Sequence, residues 1–128
     1  MVALFLSLSL FIGCKSVPLL GHGDVVVSDC KGELVFDEDI FTLEQDSDTL
    51  RVLHANAKVN PGITGVTVSF KKYGENTIEV SEKECNNFQS GTCYVDIAYG
   101  ISGIETGTYN FVIVFNGKTV YTGEYTIE

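Results

Sequence analysis

From Asp24 onward the chain is built of short runs in which apolar side chains recur at every second position, separated by Gly, Asn and Asp. That period belongs to β-strands with one buried face, and a helical period is nearly absent. Val66, Val68 and Phe70 fall on one side of their run and Thr67, Ser69 and Lys71 on the other, the pattern of a sheet with one wet face. The spacing predicts strands at Val25 to Asp29, Glu33 to Phe36, Thr42 to Gln45, Thr49 to Val59, Gly65 to Tyr73, Thr77 to Ser81, Thr92 to Tyr99, Tyr109 to Asn116 and Thr119 to Ile127. Asn116-Gly117 supplies two residues that accept positive φ, so the last two strands are expected to form a hairpin about a type I′ turn. Pairing Phe115 with Lys118 would set Ile113 opposite Val120 and Val112 opposite Tyr121. The hairpin would then be apolar on both faces unless a bulge near Gly123 shifts the register or one outer face is covered. Asn60-Pro61-Gly62 and Tyr73-Gly74-Glu75-Asn76 read as turns, because Pro61 cannot donate to a ladder and the glycines accept turn conformations. Eight or nine such strands fit a sandwich of two antiparallel sheets.

Ahead of this pattern, Val2 to Gly13 is almost wholly apolar or Ser, which suits a secretory leader and is too short to span a bilayer. No Lys or Arg precedes it. Residues 1–23 are therefore read as leader, with cleavage between Gly13 and Gly23. Residues 24–128 are read as one domain, of a size that buries about two-thirds of its unfolded surface. Phe11-Ile12-Gly13-Cys14 also resembles the site at which bacterial lipoproteins are cut and acylated, so an anchor at Cys14 stands beside the ordinary leader. Secretion implies the extracellular space or an endolysosomal lumen, where cysteines oxidise. The chain carries 17 acidic against 8 basic residues, a net charge of −9. That balance repels phosphate backbones and anionic headgroups, so no nucleic acid is expected as a partner and electrostatic membrane docking is disfavoured.

Catalytic motifs are missing: there is no Gly-x-Ser-x-Gly elbow, phosphate-cradling glycine loop or His-Glu metal pair. His54 is the one His well inside the domain, and it reads as a partly exposed strand residue rather than a general base, because no nucleophile can be assigned to it. With His22 beside the leader, a zinc site has too few ligands. Asp37-Glu38-Asp39 and Glu44 to Asp48 read as solvated loops without the ligand spacing of a calcium loop. No enzyme activity, cofactor or metal is expected. Of the three cysteines after the leader, Cys85 and Cys93 are the best pair, since Asn86 to Thr92 can turn the chain back on itself. Closing so short a loop stabilises by about 2.5 kcal/mol in the chain-entropy model. Cys30 is then a buried small side chain, an intermolecular partner, or a bridge to Cys14 if the leader stays attached.

Asp29-Cys30 after the leader, Cys85 and Cys93 with Ser90-Gly91-Thr92 before the second, and Gly107-Thr108-Tyr109 followed by Gly117-Lys118 occur in an order that resembles the ML lipid-recognition family, which includes Niemann-Pick-type sterol carriers and ganglioside activators. The likeness spans about Asp24 to Glu128. It implies an all-β, immunoglobulin-like two-sheet antiparallel β-sandwich with an internal Cys85 to Cys93 bridge. It also implies a secreted monomer that carries an acyl chain or sterol between its sheets and contacts membranes transiently. The family generally joins its first Cys to one on the last strand, and Tyr121 to Tyr125 contains none. The candidate liners of such a pocket are Leu50, Val52, Val66, Val68, Phe70, Ile78, Val95, Ile97, Phe111 and Ile113, although each taken singly reads first as ordinary sandwich core. Ile101 and Ile104, in a Gly-rich loop, are expected at its mouth together with Tyr99. An empty pocket of roughly 300 Å³ would cost on the order of 7 kcal/mol, so it should be filled or collapsed. The chain also resembles short bacterial secreted immunoglobulin-like domains that end in Gly-Thr-Tyr, a hairpin and Gly-Glu-aromatic. That likeness implies a structural or adhesion domain that binds another protein.

Overall fold

A computed structural model describes residues 25–31 and 38–128. The leader with Cys14, the predicted strand Glu33 to Phe36, and Asp37 lie outside the described residues. Eight strands are described: β1 (Val26–Val27), β2 (Ile40–Asp46), β3 (Thr49–Val59), β4 (Ile63–Tyr73), β5 (Thr77–Asn86), β6 (Cys93–Ser102), β7 (Gly107–Phe115) and β8 (Lys118–Ile127). They form two four-stranded sheets, ordered β1-β6-β3-β2 and β4-β5-β7-β8. The fold is an all-β sandwich. One pairing departs from the antiparallel expectation: β5 runs parallel to β7. The chain leaves β5 for the other sheet, forms β6 there, and returns to lay β7 beside β5 in the same direction.

Alternation makes the core. Val66 and Val68 on β4, Ile78 and Val80 on β5, Val95, Ile97, Tyr99 and Ile101 on β6, and Phe111 and Ile113 on β7 belong to one buried cluster that joins both sheets. Fully burying an aliphatic side chain of this size contributes about 1.5–3 kcal/mol. The intervening positions of β5, Thr77, Glu79, Ser81 and Lys83, face away from it.

Two bulges correct the pattern where strict alternation would fail. On β3 the register with β6 shifts between His54 and Ala57, and Asn56 adopts φ 63°. Leu50, Val52 and His54 point inward before the shift and Ala57 and Val59 after it, so Lys58 stays in water. The extra turn is held by Asp96, whose Oδ1 accepts the Asn56 amide at 3.1 Å and the Lys31 ammonium at 2.6 Å. On β8 the shift lies at Val120, not near Gly123: Val114 faces Thr119, and Ile113 faces Tyr121. Val112 therefore meets Thr122, not Tyr121. One extra residue is enough to send Tyr121, Tyr125 and Ile127 toward the core and Thr122, Glu124 and Thr126 toward water. The turn itself follows the expectation, with Asn116 at φ 51° and Gly117 at φ 84°.

Candidate functional site

The predicted liners come together as core. All of them except Phe70 and Ile104 are buried, and those two are packed against the same cluster. Ile101, expected in a loop at the mouth, lies on β6 with no exposure, because β6 continues past Tyr99 to Ser102 and alternation turns Ile101 inward. Tyr99 is likewise buried. Phe70, Ile78 and Ile104 meet Lys72, Glu105 and Tyr109 around a cleft of about 190 Å³ at one end of the sandwich. The Tyr109 hydroxyl donates to the Glu105 carbonyl at 2.8 Å and pins the Ile104 loop there.

At the centre lies an arrangement of a different kind. His54 is wholly buried, not partly exposed, because it continues the inward stripe of Leu50 and Val52. Glu82 is wholly buried too and continues the inward stripe of Ile78 and Val80 on β5. His54 Nδ1 lies 2.7 Å from Glu82 Oε1 and its Nε2 lies 2.8 Å from Asp39 Oδ1. The Tyr99 hydroxyl donates to the other Glu82 oxygen at 2.5 Å. These contacts join β3 and β6 of one sheet to β5 of the other. Phe41 stacks on the His54 ring at 4.2 Å, and Phe115 meets it edge-on at 5.4 Å. Burial alone would lower the His54 pKa, but the hydrogen bonds and charges of Glu82 and then Asp39 outweigh it and hold it above the ordinary 6.5. Burial, reinforced by the Glu82 charge, pushes the Tyr99 hydroxyl well above its ordinary 10.0. Asp39, His54 and Glu82 resemble the orienting half of an acid-base relay, but among the described contacts no Ser or Cys nucleophile touches the ring. The arrangement can hold and move a proton.

The disulfide corrects a second expectation. Cys93 bonds Cys30, not Cys85. Segment 28–31 runs along β6, with Ser28 N donating to Asp96 O and Lys31 N to Tyr94 O, and this brings Cys30 to within 5.5 Å of Cys93 between Cα atoms. Cys93 points inward on one sheet, whereas Cys85 shares the outward side of Ser81 and Lys83 on the other. No described cysteine is a free thiol. The link closes a separation of 63 residues, which the chain-entropy model values at about 4 kcal/mol, against about 2.5 for the short loop. It also removes the internal bridge on which the ML resemblance partly rested.

Outside the core, the sheet β1-β6-β3-β2 carries a shallow trough of about 380 Å³ bordered by Val26, Thr42, Glu44, Arg51, Leu53, Ala98 and Gly100. Its middle is a registered row, Val26 beside Ala98, Ala98 beside Leu53 and Leu53 beside Thr42. Ala98 and Gly100 present little or no side chain, so the row sinks to the backbone between taller neighbours. Val26 and Leu53 are exposed.

Comparison with family models, curated proteins and solved structures yields no match to this chain.

Sequence reading missed Glu82 because the predicted strand stopped at Ser81, where Glu82-Lys83-Glu84 looks like a polar loop. A signal was nonetheless present. Extending period-two spacing through Ile78 and Val80 lands on Glu82, and through Leu50 and Val52 lands on His54, two titratable groups on otherwise apolar stripes.

Proposed function

We propose that this chain is an extracytoplasmic immunoglobulin-like interaction module that binds another protein through the outer face of β1-β6-β3-β2. The observation that carries this reading is the apolar row Val26, Ala98 and Leu53 set in a rim of Thr42, Glu44 and Arg51. An apolar centre with a polar rim is the anatomy of a protein interface. The outer side of β4 and β5 offers no equivalent, since Thr67, Ser69, Lys71, Ser81 and Lys83 occupy it. A partner fits if it presents an aliphatic knob to the floor of Ala98 and Gly100 and a cation to Glu44. The disulfide is compatible with an oxidising compartment.

Lipid carriage is the competing proposal, and Phe70, Ile78 and Ile104 favour the cleft they share as its site. Its volume of about 190 Å³ is below the roughly 300–1,000 Å³ of ordinary ligand pockets. The supporting weight therefore lies with the interaction reading.

A photo-crosslinking amino acid at Leu53, compared with one at Ser69 on the opposite outer face, tests it in the medium of the producing cells. The expected result is a discrete protein adduct from position 53 that Ala98→Arg abolishes. Equal labelling from both positions, or stoichiometric lipid released by solvent extraction from a protein that then unfolds, would overturn it.

A further inference from the structure

The buried relay contains a countable number of protons. Each His54 ring nitrogen faces a carboxylate oxygen, Glu82 at 2.7 Å and Asp39 at 2.8 Å. Carboxylate oxygens only accept, so the two contacts need two protons on the line, whether both sit on the ring or one sits on a carboxyl. Removing one leaves a pair of acceptors facing each other. The three groups do not share the consequence equally. His54 and Glu82 are wholly buried, whereas the Asp39 side chain is 37% exposed. Glu82 reaches water only by parting the sheets; Asp39 has only to turn outward. Asp39 directly precedes β2, an edge strand whose Phe41 ring covers His54.

We propose that the proton held between His54 and Asp39 is the catch that fastens the leading end of β2 to the sandwich, and that its loss frees Asp39 to Phe41 while the rest of both sheets stays closed. The surroundings leave His54 as the group that controls the catch. Glu82 faces it from β5, Phe41 from β2 and Phe115 from β7. From β8, Tyr121 packs against Phe41, with ring centres 5.2 Å apart. On β6, Tyr99 donates to Glu82 and keeps its proton through the neutral range. Asp96, also on β6, acts on His54 electrostatically but carries its own counter-ion, Lys31, at 2.6 Å. The elevated pKa of His54 places the release on the alkaline side of the ordinary histidine range.

The test is amide hydrogen exchange on the full chain, read with the His54 ring resonances between about pH 6 and 9. On the acid side of the His54 midpoint, protection factors of the amides at the leading end of β2, corrected for intrinsic exchange, should fall as pH rises, by up to tenfold per pH unit, and level off above it, as linkage to one proton requires. Those of Val80 and Ile113 should hold. In Asp39→Asn the side-chain amide donates to an unprotonated ring, so the slope should flatten while the fold persists. Three results would overturn the proposal: β2 protection that ignores the His54 titration, an unchanged slope in Asp39→Asn, or equal loss of protection in β4 and β5.

Discussion

Phe111, Val80 and Ile97 belong to a buried apolar cluster, whereas beside it His54 on β3, Glu82 on β5 and Tyr99 on β6 meet at the same depth with scarcely any exposure. The apolar region is held by area removed from water, which has no direction and tolerates replacement by a shape of similar volume. The polar region is held by hydrogen bonds that name their partners, and it fails if any one is removed. The cost of burying His54 and Glu82 is offset only because each satisfies the other, which suits a contact that must form in one arrangement.

The sharpest way to separate the two regions is to cut each and then attempt a rescue. Phe111→Ala and Glu82→Ala should each cost about 3–5 kcal/mol in urea unfolding, the first through a cavity and the second by leaving the buried His54 Nδ1 and Tyr99 hydroxyl without their partner. Adding His54→Leu to Glu82→Ala should recover much of the loss, while no neighbouring substitution of that kind should restore Phe111→Ala. An unrescued double variant would show that the polar region stabilises by packing alone. Next in size is the covalent tie beside Val59 and Val95: Cys30→Ala with Cys93→Ala should lower stability by about 4 kcal/mol, against no change in the His54 resonances.

Titration gives a smaller effect with a defined sign. The His54 pKa is raised on folding, so its contribution is complete below 6.5 and is lost as pH rises through the folded value. Urea midpoints should therefore decline on the alkaline side of 6.5, and Asp39→Asn should weaken the decline; Phe111→Ala should leave its shape unchanged. The smallest effect belongs to the outer trough, where Leu53→Arg should shift stability by no more than about 0.5 kcal/mol yet abolish crosslinking from its neighbours.

The apolar region was legible because its signal is local. Val66, Val68 and Phe70 alternate within one run, Asn116-Gly117 names its own turn, and Thr49 to Val59 carries its strand from end to end. The polar region was not legible because its meaning is relational. His54 is an orphan in its own strand and Glu82 a charge between two others, and each becomes satisfied only when β3, β5 and β6 are stacked. Cys93 shows the same limit, since the nearer Cys85 lies on the outward side of the opposite sheet and the distant Cys30 is carried alongside β6.

The sequence by itself determined an all-β chain, its strand periods, its turns and much of its apolar core, since backbone pleating and side-chain hydrophobicity are properties of neighbouring residues. Only the tertiary structure decided which stripes meet, where one extra residue at Asn56 or Val120 resets the alternation, and which cysteine Cys93 bonds. It also decided that a histidine and a glutamate 28 positions apart share buried protons, because distance in space between separate strands is fixed by sheet order and register, which no single strand encodes.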